Sequence, residues 1–186
     1  MKWILESEVM ILEKDFICIR DAEREDASYL AKWWNDGRVM AHAGFPNGLG
    51  TTAAQVEKEI EACSDDTNRR LIIKFKNERI GEMAYYNLGN HVAEIGIKIC
   101  EPQYQEKGLG RVILSMLLDE LFRMGYTKIV LDTNLNNTRA QHVYEKIGFV
   151  KVRVNIDDYT DQLGEKQSTV VYELTQDTFV NLAKEN

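Results

Sequence analysis

Seven residues, Gln105-Glu106-Lys107-Gly108-Leu109-Gly110-Arg111, have the make-up of a turn that could hold an anion, and they run straight into an amphipathic helix. Leu109, Val112, Ile113, Met116, Leu117, Leu121 and Phe122 recur at spacings of three and four, which predicts one buried helical face ending near Met124. Arg111, Ser115, Asp119, Glu120 and Arg123 fall on the other face, where Asp119 and Arg123 have the spacing and order of a supporting ion pair. A helix N-terminus carries free N–H groups and partial positive charge, so acids are favoured there. Here Lys107 stands just before the helix and Arg111 lies in its first turn. Two cations repel that end of the dipole unless an anion sits between them. Gly108 and Gly110 allow the backbone to approach such a group, and consecutive amides can cradle a phosphate or pyrophosphate. A tight turn with solvated basic side chains fits the same residues, and these seven alone do not choose between the two.

The neighbouring sequence narrows the chemistry. A triphosphate loop needs Gly-x-x-x-x-Gly-Lys-Ser/Thr, which the chain lacks. A dinucleotide turn needs Gly-x-Gly-x-x-Gly, and Ile113 stands where the third glycine belongs. What remains is Gln105-x-x-Gly108-x-Gly110 between a strand and a helix. A second strand follows, then Asn137-x-x-Ala140-x-x-x-Tyr144-x-x-x-Gly148-Phe149.

The elements that must position these residues read as follows. Residues 1–14 contain short apolar pieces, Trp3-Ile4-Leu5 and Val9 to Leu12, and form an N-terminal arm or an extra strand; residues 15–186 form a single domain. Phe16 to Ile19 is a strand, and Glu25 to Asp36 a helix with Ala27, Leu30, Ala31 and Trp34 inward. Val39 to Thr51, with Gly44, Pro46, Gly48 and Gly50, is the longest irregular stretch and either a substrate loop or a plain connection. Thr52 to Ala62 is a helix with Val56, Ile60 and Cys63 facing inward. Leu71–Phe75, Ile80–Leu88 and Val92–Cys100 are strands joined by short turns, an antiparallel meander. Lys128 to Asp132 is a strand whose Ile129-Val130-Leu131 run suggests burial on both faces. With the preceding strand and helix it makes a βαβ unit and hence a parallel pair. Asn136-Asn137 caps a helix from Thr138 to Ile147, which Gly148 ends. Phe149–Val154 and Thr169–Leu174 are strands separated by a polar stretch from Asn155 to Gln167, and the chain ends in a fraying helix after Gln176.

Composition limits the function. With 23 basic against 30 acidic residues the net charge is −7, unlike a general nucleic-acid binder but compatible with a cationic amine ligand. No apolar run reaches the roughly 18 residues of a membrane span, and Met1 to Leu12 does not read as a secretory leader. Cys18, Cys63 and Cys100 are widely separated, as are His42, His91 and His142, so a reduced cytoplasmic setting and no metal are expected.

The two motifs, with the strands and helix between them, resemble the GNAT superfamily of acyl-CoA-dependent N-acetyltransferases. The order of elements from Phe16 to Leu174 follows that family too. Ile19-Arg20, Asp26-Ala27, Leu30 and Trp34-Asn35-Asp36 are similar to the branch acting on ribosomal-protein N-termini, aminoglycosides or polyamines, although Gly37 stands where that branch often has proline. The resemblance implies a mixed α/β fold: a central, mostly antiparallel twisted sheet with one splayed parallel pair and flanking helices. It implies acetyl-CoA as co-substrate. Its pyrophosphate would sit on Lys107, Gly108, Leu109, Gly110 and Arg111 after Gln105. Its pantetheine would lie along Ile97, Lys98 and Ile99, with Asn137 bonding the pantetheine amide or serving only as a helix cap.

Acetyl transfer to an amine requires a polarised thioester, a base and a donor for the departing thiolate. By resemblance Tyr144 is the acid, against the plainer reading of a tyrosine packed beside Ala140 and Val143. Glu94, on the polar face of the strand beside the thioester, is the base, directly or through water, against the reading of a surface glutamate. Asp36, Asp157, Asp158 and Asp161 would form an acidic entrance or simply a solvated face. The expected acceptor is a small-molecule amine or a peptide or protein N-terminus, attacking directly in a ternary complex. A non-catalytic acyl-CoA-binding regulatory module is the alternative. Neither nucleic acid nor a membrane is an expected partner, and an exposed sheet edge could pair two copies as a homodimer.

Overall fold

The computed structural model describes residues 9–64 and 66–184. The Trp3-Ile4-Leu5 piece lies outside them. Period-two alternation builds eight strands: β1 (Ile11–Lys14), β2 (Ile17–Asp21), β3 (Asn68–Phe75), β4 (Glu78–Asn87), β5 (Val92–Ile99), β6 (Lys128–Asn134), β7 (Val150–Thr160) and β8 (Lys166–Thr175). They form one sheet in the order β1-β2-β3-β4-β5-β6-β8-β7. Every neighbouring pair is antiparallel except β5 and β6, which run parallel.

Helices cover both faces. On one, α1 (Ala27–Trp34) and α3 (Ala53–Glu61) bury Leu30, Trp33, Trp34 and Val56 against Ile72 and Cys100, together with Met40 of the short helix α2 (Gly37–Met40). On the other, α4 (Leu109–Arg123) and α5 (Thr138–Ile147) bury Ile113, Leu117, Leu121, Tyr144 and Ile147 against Leu71, Ile73, Met83, Ile95, Leu131 and Tyr172. Two helix starts are closed by side chains: Thr52 and Gln55 form a reciprocal capping box at α3, and Asn137 caps α5 by accepting from the Ala140 amide.

The parallel pairing is short. Only Val92↔Lys128, Ala93↔Ile129 and Glu94↔Val130 are in register, after which the two strands part. Each stays anchored on its outer side, β5 to β4 from Ala93 to Ile99 and β6 to β8 from Lys128 to Asn134.

Several expectations change. Helix α4 begins at Leu109. Its Ser115 is wholly buried, because the segment after β8 lies over it and the Leu182 amide donates to the Ser115 hydroxyl (3.2 Å). Asp119 pairs with Lys184 (3.0 Å) and Arg123 with Glu120 (2.7 Å), not with each other. Val130 is only half-buried, so β6 alternates. The polar stretch from Asn155 to Gln167 is mostly strand, the outer ends of the β7–β8 hairpin. Residues 176–184 make turns rather than a helix.

Gly148 ends α5 in the left-handed region (φ +103°), and a Cβ there would overlap the Thr178 carbonyl of the covering segment. Gly148→Ala is therefore expected to cost about 2–3 kcal/mol. A thermal melt should show Tm lowered by about 4–10 °C.

Candidate active site

Where β5 and β6 part, a cleft of about 830 Å³ passes between them. One wall is β5 from Glu94 to Ile99. The other is Asp132, Thr133 and Asn134 of β6 with Asn137, Ala140, Val143 and Tyr144 of the following turn and α5. On the α4 side it is bounded by Gln105, Glu106 and Gly108 to Arg111; on the α1 side Arg38, Val39, His42 and Ala43 approach it, with Tyr159 and Thr169 from the last hairpin. From Ile95 onward the edge of β5 facing the cleft has no strand partner in β6, so its backbone groups are available to an extended ligand.

The glycine turn forms one end. Glu106 (φ +59°) and Gly108 (φ +74°) are both left-handed, which folds the chain tightly from β5 into α4. The Gln105 side chain ties this turn to the end of β5 by donating to the Ile99 carbonyl (2.8 Å). No side chain caps α4, unlike α3 and α5, and no acid occupies its first turn. Arg111 folds back so that its Nε lies 3.6 Å from where a Gly108 Cβ would stand. An uncapped positive helix end, a left-handed glycine and an arginine on one cleft wall fit an anion of phosphate type. Lys107 is not among the residues lining the cleft; its ammonium lies 5.8 Å from the centre of the ring of Tyr104, which does line it.

Tyr144 points its hydroxyl into the cleft from α5. The ring is held by Phe149 and Tyr172, each with its centroid 5.8 Å away, and only 7% of the residue is exposed. Among the described residues no group bonds that hydroxyl. Burial, helped by the negative charge of Asp132, pushes its pKa up to about 12, so it stays a proton donor across the physiological range. Asn137 spends its side chain on structure, accepting from the Ala140 amide (3.3 Å) and donating to the Thr133 hydroxyl (3.2 Å).

Glu94 pairs in register with Val130, and Asp132 stands two residues further along β6, so both carboxylates project from the same face where the strands divide. Burial and the nearby Asp132 raise the pKa of Glu94; burial and Asp158 raise that of Asp132. Further along the same face of β5, Lys98 donates to buried Glu82 (3.4 Å), which also accepts from Trp34 Nε1 (2.7 Å) and Arg70 (2.8 Å). The Lys98 ammonium is thus committed to the α1 side of the sheet, while its backbone belongs to the cleft wall.

The cleft therefore gathers Glu94, Ile97, Lys98, Ile99, Gln105, Gly108, Leu109, Gly110, Arg111, Asn137 and Tyr144, but not Lys107. The proposed acidic entrance does not form as a group. Asp36 caps α2 and binds Arg38 (2.6 Å), and Asp161 accepts from the Leu163 and Glu165 amides inside the hairpin turn. Of the four aspartates, Asp158 comes nearest the cleft, through the Thr169 hydroxyl. Asp132, Tyr86 and Tyr159 line the cleft without having been singled out in the sequence. For Asp132 the signal was available: an acid closing an otherwise apolar strand run.

Residues 17–150 match the family model described as acetyltransferase (GNAT) domain. Spermidine N(1)-acetyltransferase of Escherichia coli (strain K12) is 29% identical over 135 residues, covering 70% of this chain and 71% of that protein. The [ribosomal protein bS18]-alanine N-acetyltransferase of the same organism is 31% identical over 71 residues, covering 38% of this chain and 48% of that protein. Among solved structures, the spermidine N-acetyltransferase from Vibrio cholerae in complex with CoA and spermine superposes with a TM-score of 0.79 at 23% identity, covering 89% of this chain and 98% of that one. A domain match across most of the chain joins a parted parallel strand pair, an uncapped glycine-led helix and a buried tyrosine facing the gap, and this chain belongs to the acetyltransferase (GNAT) domain family.

Proposed function

We propose that this protein transfers an acetyl group from acetyl-CoA to a primary amine by direct attack within a ternary complex. The observation that carries the proposal is the cleft itself: an anion-type turn at one end, and an unpartnered tyrosine and two proton-hungry carboxylates at the strand divide. The amides of Gly108 to Arg111 and the Arg111 guanidinium would hold the CoA pyrophosphate, and the open edge of β5 at Ile97 to Ile99 would align the pantetheine. Bound acetyl-CoA supplies a thioester carbonyl open to nucleophilic attack. Glu94 takes a proton from the incoming ammonium, directly or through water, and its raised proton affinity suits it to that task near neutral pH. A backbone N–H of β5 polarises the carbonyl oxygen.

Tyr144 donates to the departing sulfur. A free thiol ionises near 8.5, well below the value of about 12 for Tyr144. Full transfer from the phenol is therefore uphill, and its contribution is a hydrogen bond that stabilises the thiolate as it forms. The second proton lost by the attacking nitrogen balances the thiol product. Relatives that act on spermidine or on a ribosomal protein's alanine both present primary amines, which supports an acceptor of that class.

Four variants test the assignment. Gly110→Glu should weaken CoA binding by about 100-fold or more, because a carboxylate enters the anion turn. Gly110→Ala should bind almost normally, since a Cβ there meets only the Ile99 side chain at 3.7 Å; equal affinities by calorimetry would remove the turn from the site. Tyr144→Phe should lower kcat about 100-fold while leaving CoA affinity nearly intact. Glu94→Gln should lower kcat about 100-fold or more and abolish the acid limb of the kcat/KM profile. That limb should lie above the ordinary glutamate value of about 4.3, because activity is lost as pH falls through a raised pKa. The same raised pKa means that the charged carboxylate costs folding stability above it, so Glu94→Gln should melt no lower than the wild type at pH 7.

A further inference from the structure

On the α1 side of the sheet, Tyr86 of β4 pairs in register with Glu94 of β5, so their side chains stand next to each other on one face. The next pair on that face is Ala84 and Gly96, with Arg70 of β3 opposite Ala84. The Tyr86 hydroxyl accepts from the Arg70 guanidinium (3.4 Å), so the ring leans toward the Ala84–Gly96 pair. Arg70 is itself fixed, by its ion pair with Glu82 (2.8 Å) and by lying 4.9 Å from the centre of the Trp34 ring. Gly96 is exposed, and a Cβ built there would meet nothing within 4 Å. A ring held at its hydroxyl end thus borders open space over a bare stretch of strand, with Glu94 beside it.

The other tyrosines that line the cleft have their faces covered. Tyr104 lies beneath the Lys107 ammonium, Tyr144 is packed by Phe149 and Tyr172, and Tyr159 lies against Gly44. Elsewhere rings are matched with cations of the chain itself, Trp34 with Arg70, Tyr29 with Arg79 and Phe16 with Lys76. Among the described residues neither a ring nor a cation lies over the Tyr86 ring, and 37% of the residue is exposed. A tyrosine face is negative, and a cation placed over it is attracted. Glu94 beside the ring and Asp132 on β6 add two carboxylates to the same part of the cleft, while the Lys98 ammonium is drawn away to Glu82 (3.4 Å).

We propose that the uncovered face of Tyr86 is the platform on which the acceptor's ammonium group docks: the cation rests against the ring above Gly96, beside the carboxylate of Glu94 that takes its proton. A primary amine arrives protonated at neutral pH, and the ring holds that charge without competing for the proton, since the hydroxyl end is engaged by Arg70. Once the nitrogen has attacked the thioester it is positive again until its second proton leaves, and the same face offsets that charge too. Glycine is needed at position 96 because a side chain there would stand where the cation stands. Tyr86 therefore binds and orients the acceptor, while proton transfer stays with Glu94.

The platform rests on the acetyl-transfer reading, and the two fail differently. Butyltrimethylammonium carries the charge but has no proton to give up. Its dissociation constant is measured by NMR titration in the presence of CoA, and it is tested as an inhibitor of thiol release from acetyl-CoA with spermidine as acceptor. With the wild type it should compete with spermidine and not with acetyl-CoA. Tyr86→Leu should weaken its binding about tenfold, and Tyr86→Phe, which keeps the ring, by no more than about twofold. Gly96→Val meets no clash and suits a strand; it should also weaken binding about tenfold with Tyr86 intact, even if the leucine variant folds poorly. The KM for spermidine should follow the same order, with the acetyl-CoA dissociation constant unchanged. No binding of butyltrimethylammonium to the wild type, equal binding by the wild type and both the leucine and valine variants, or a phenylalanine variant as weak as the leucine one would each overturn the platform while acetyl transfer stands. Failure of the wild type to bind acetyl-CoA would overturn the acetyl-transfer reading, and the acceptor role of the ring with it.

Discussion

The parting of β5 from β6 is the constraint on which the rest of the structure depends. A parallel pair held by three registered residue pairs would be weak alone. It persists because each strand is bonded along the cleft region to an antiparallel neighbour, β5 to β4 and β6 to β8. Gly81 belongs to this arrangement, since a Cβ there would overlap the Lys98 carbonyl and push β4 away from the strand it must hold. With both halves braced from outside, the backbone groups left open between them face the cleft instead of unravelling the sheet. Helix α4 then bridges the gap, and its uncapped start falls at one mouth of the cleft.

The chain treats its crowded carboxylates in two ways, and the contrast separates scaffold from chemistry. Asp26 is fully buried, and burial alone would raise its pKa. Hydrogen bonds from Arg20, the Glu23 amide and Arg79 outweigh that and hold it below the usual carboxylate range. It braces β2, the start of α1 and β4 as a permanent charge. Glu82, also buried, receives Trp34, Arg70 and Lys98. At the strand divide, by contrast, Glu94 and Asp132 have no ion-pair partner among the described residues and each is shifted toward the protonated form. A carboxylate held as an anion by two arginines is a poor base at neutral pH, while one left without compensation is a better one. In the proposed mechanism, the stability forgone at the divide is what makes proton transfer there feasible.

Much of this was legible in the sequence because it depends on local rules. The helix from Thr138 to Ile147 runs as its spacing and its Asn137 and Gly148 ends dictate. The glycine turn, the meander and the parallel pair follow from alternation and chain order. What escaped is what only long-range contact decides. Ser115 reads as exposed on any helical wheel, and is buried because residues after β8 lie over it. Asn155 to Gln167 is polar enough to pass for a loop, yet an edge hairpin with water on one side tolerates that composition. Lys107 matched the logic of two cations around an anion; of the two only Arg111 lines the cleft, while the Lys107 ammonium stands over the ring of its neighbour Tyr104, a contact the spacing does not announce.

The same division holds between chemistry and selection. Tyr144, Glu94 and the glycine turn all fall within residues 17–150, where the chain follows its family, and each sits on or beside a regular element that fixes it to the core. The α1 side of the cleft instead depends on contacts between a glycine-rich stretch and a hairpin tip, 114 to 117 residues apart. Few side chains are committed there, so substitutions can reshape the entrance without disturbing the strand divide. A rigid divide with an independently built entrance is what allows one acetyl-transfer fold to serve amines of different shape. The stretch from Val39 to Thr51 therefore matters because Asn35 and Gln162 pin its two edges, not because it is irregular.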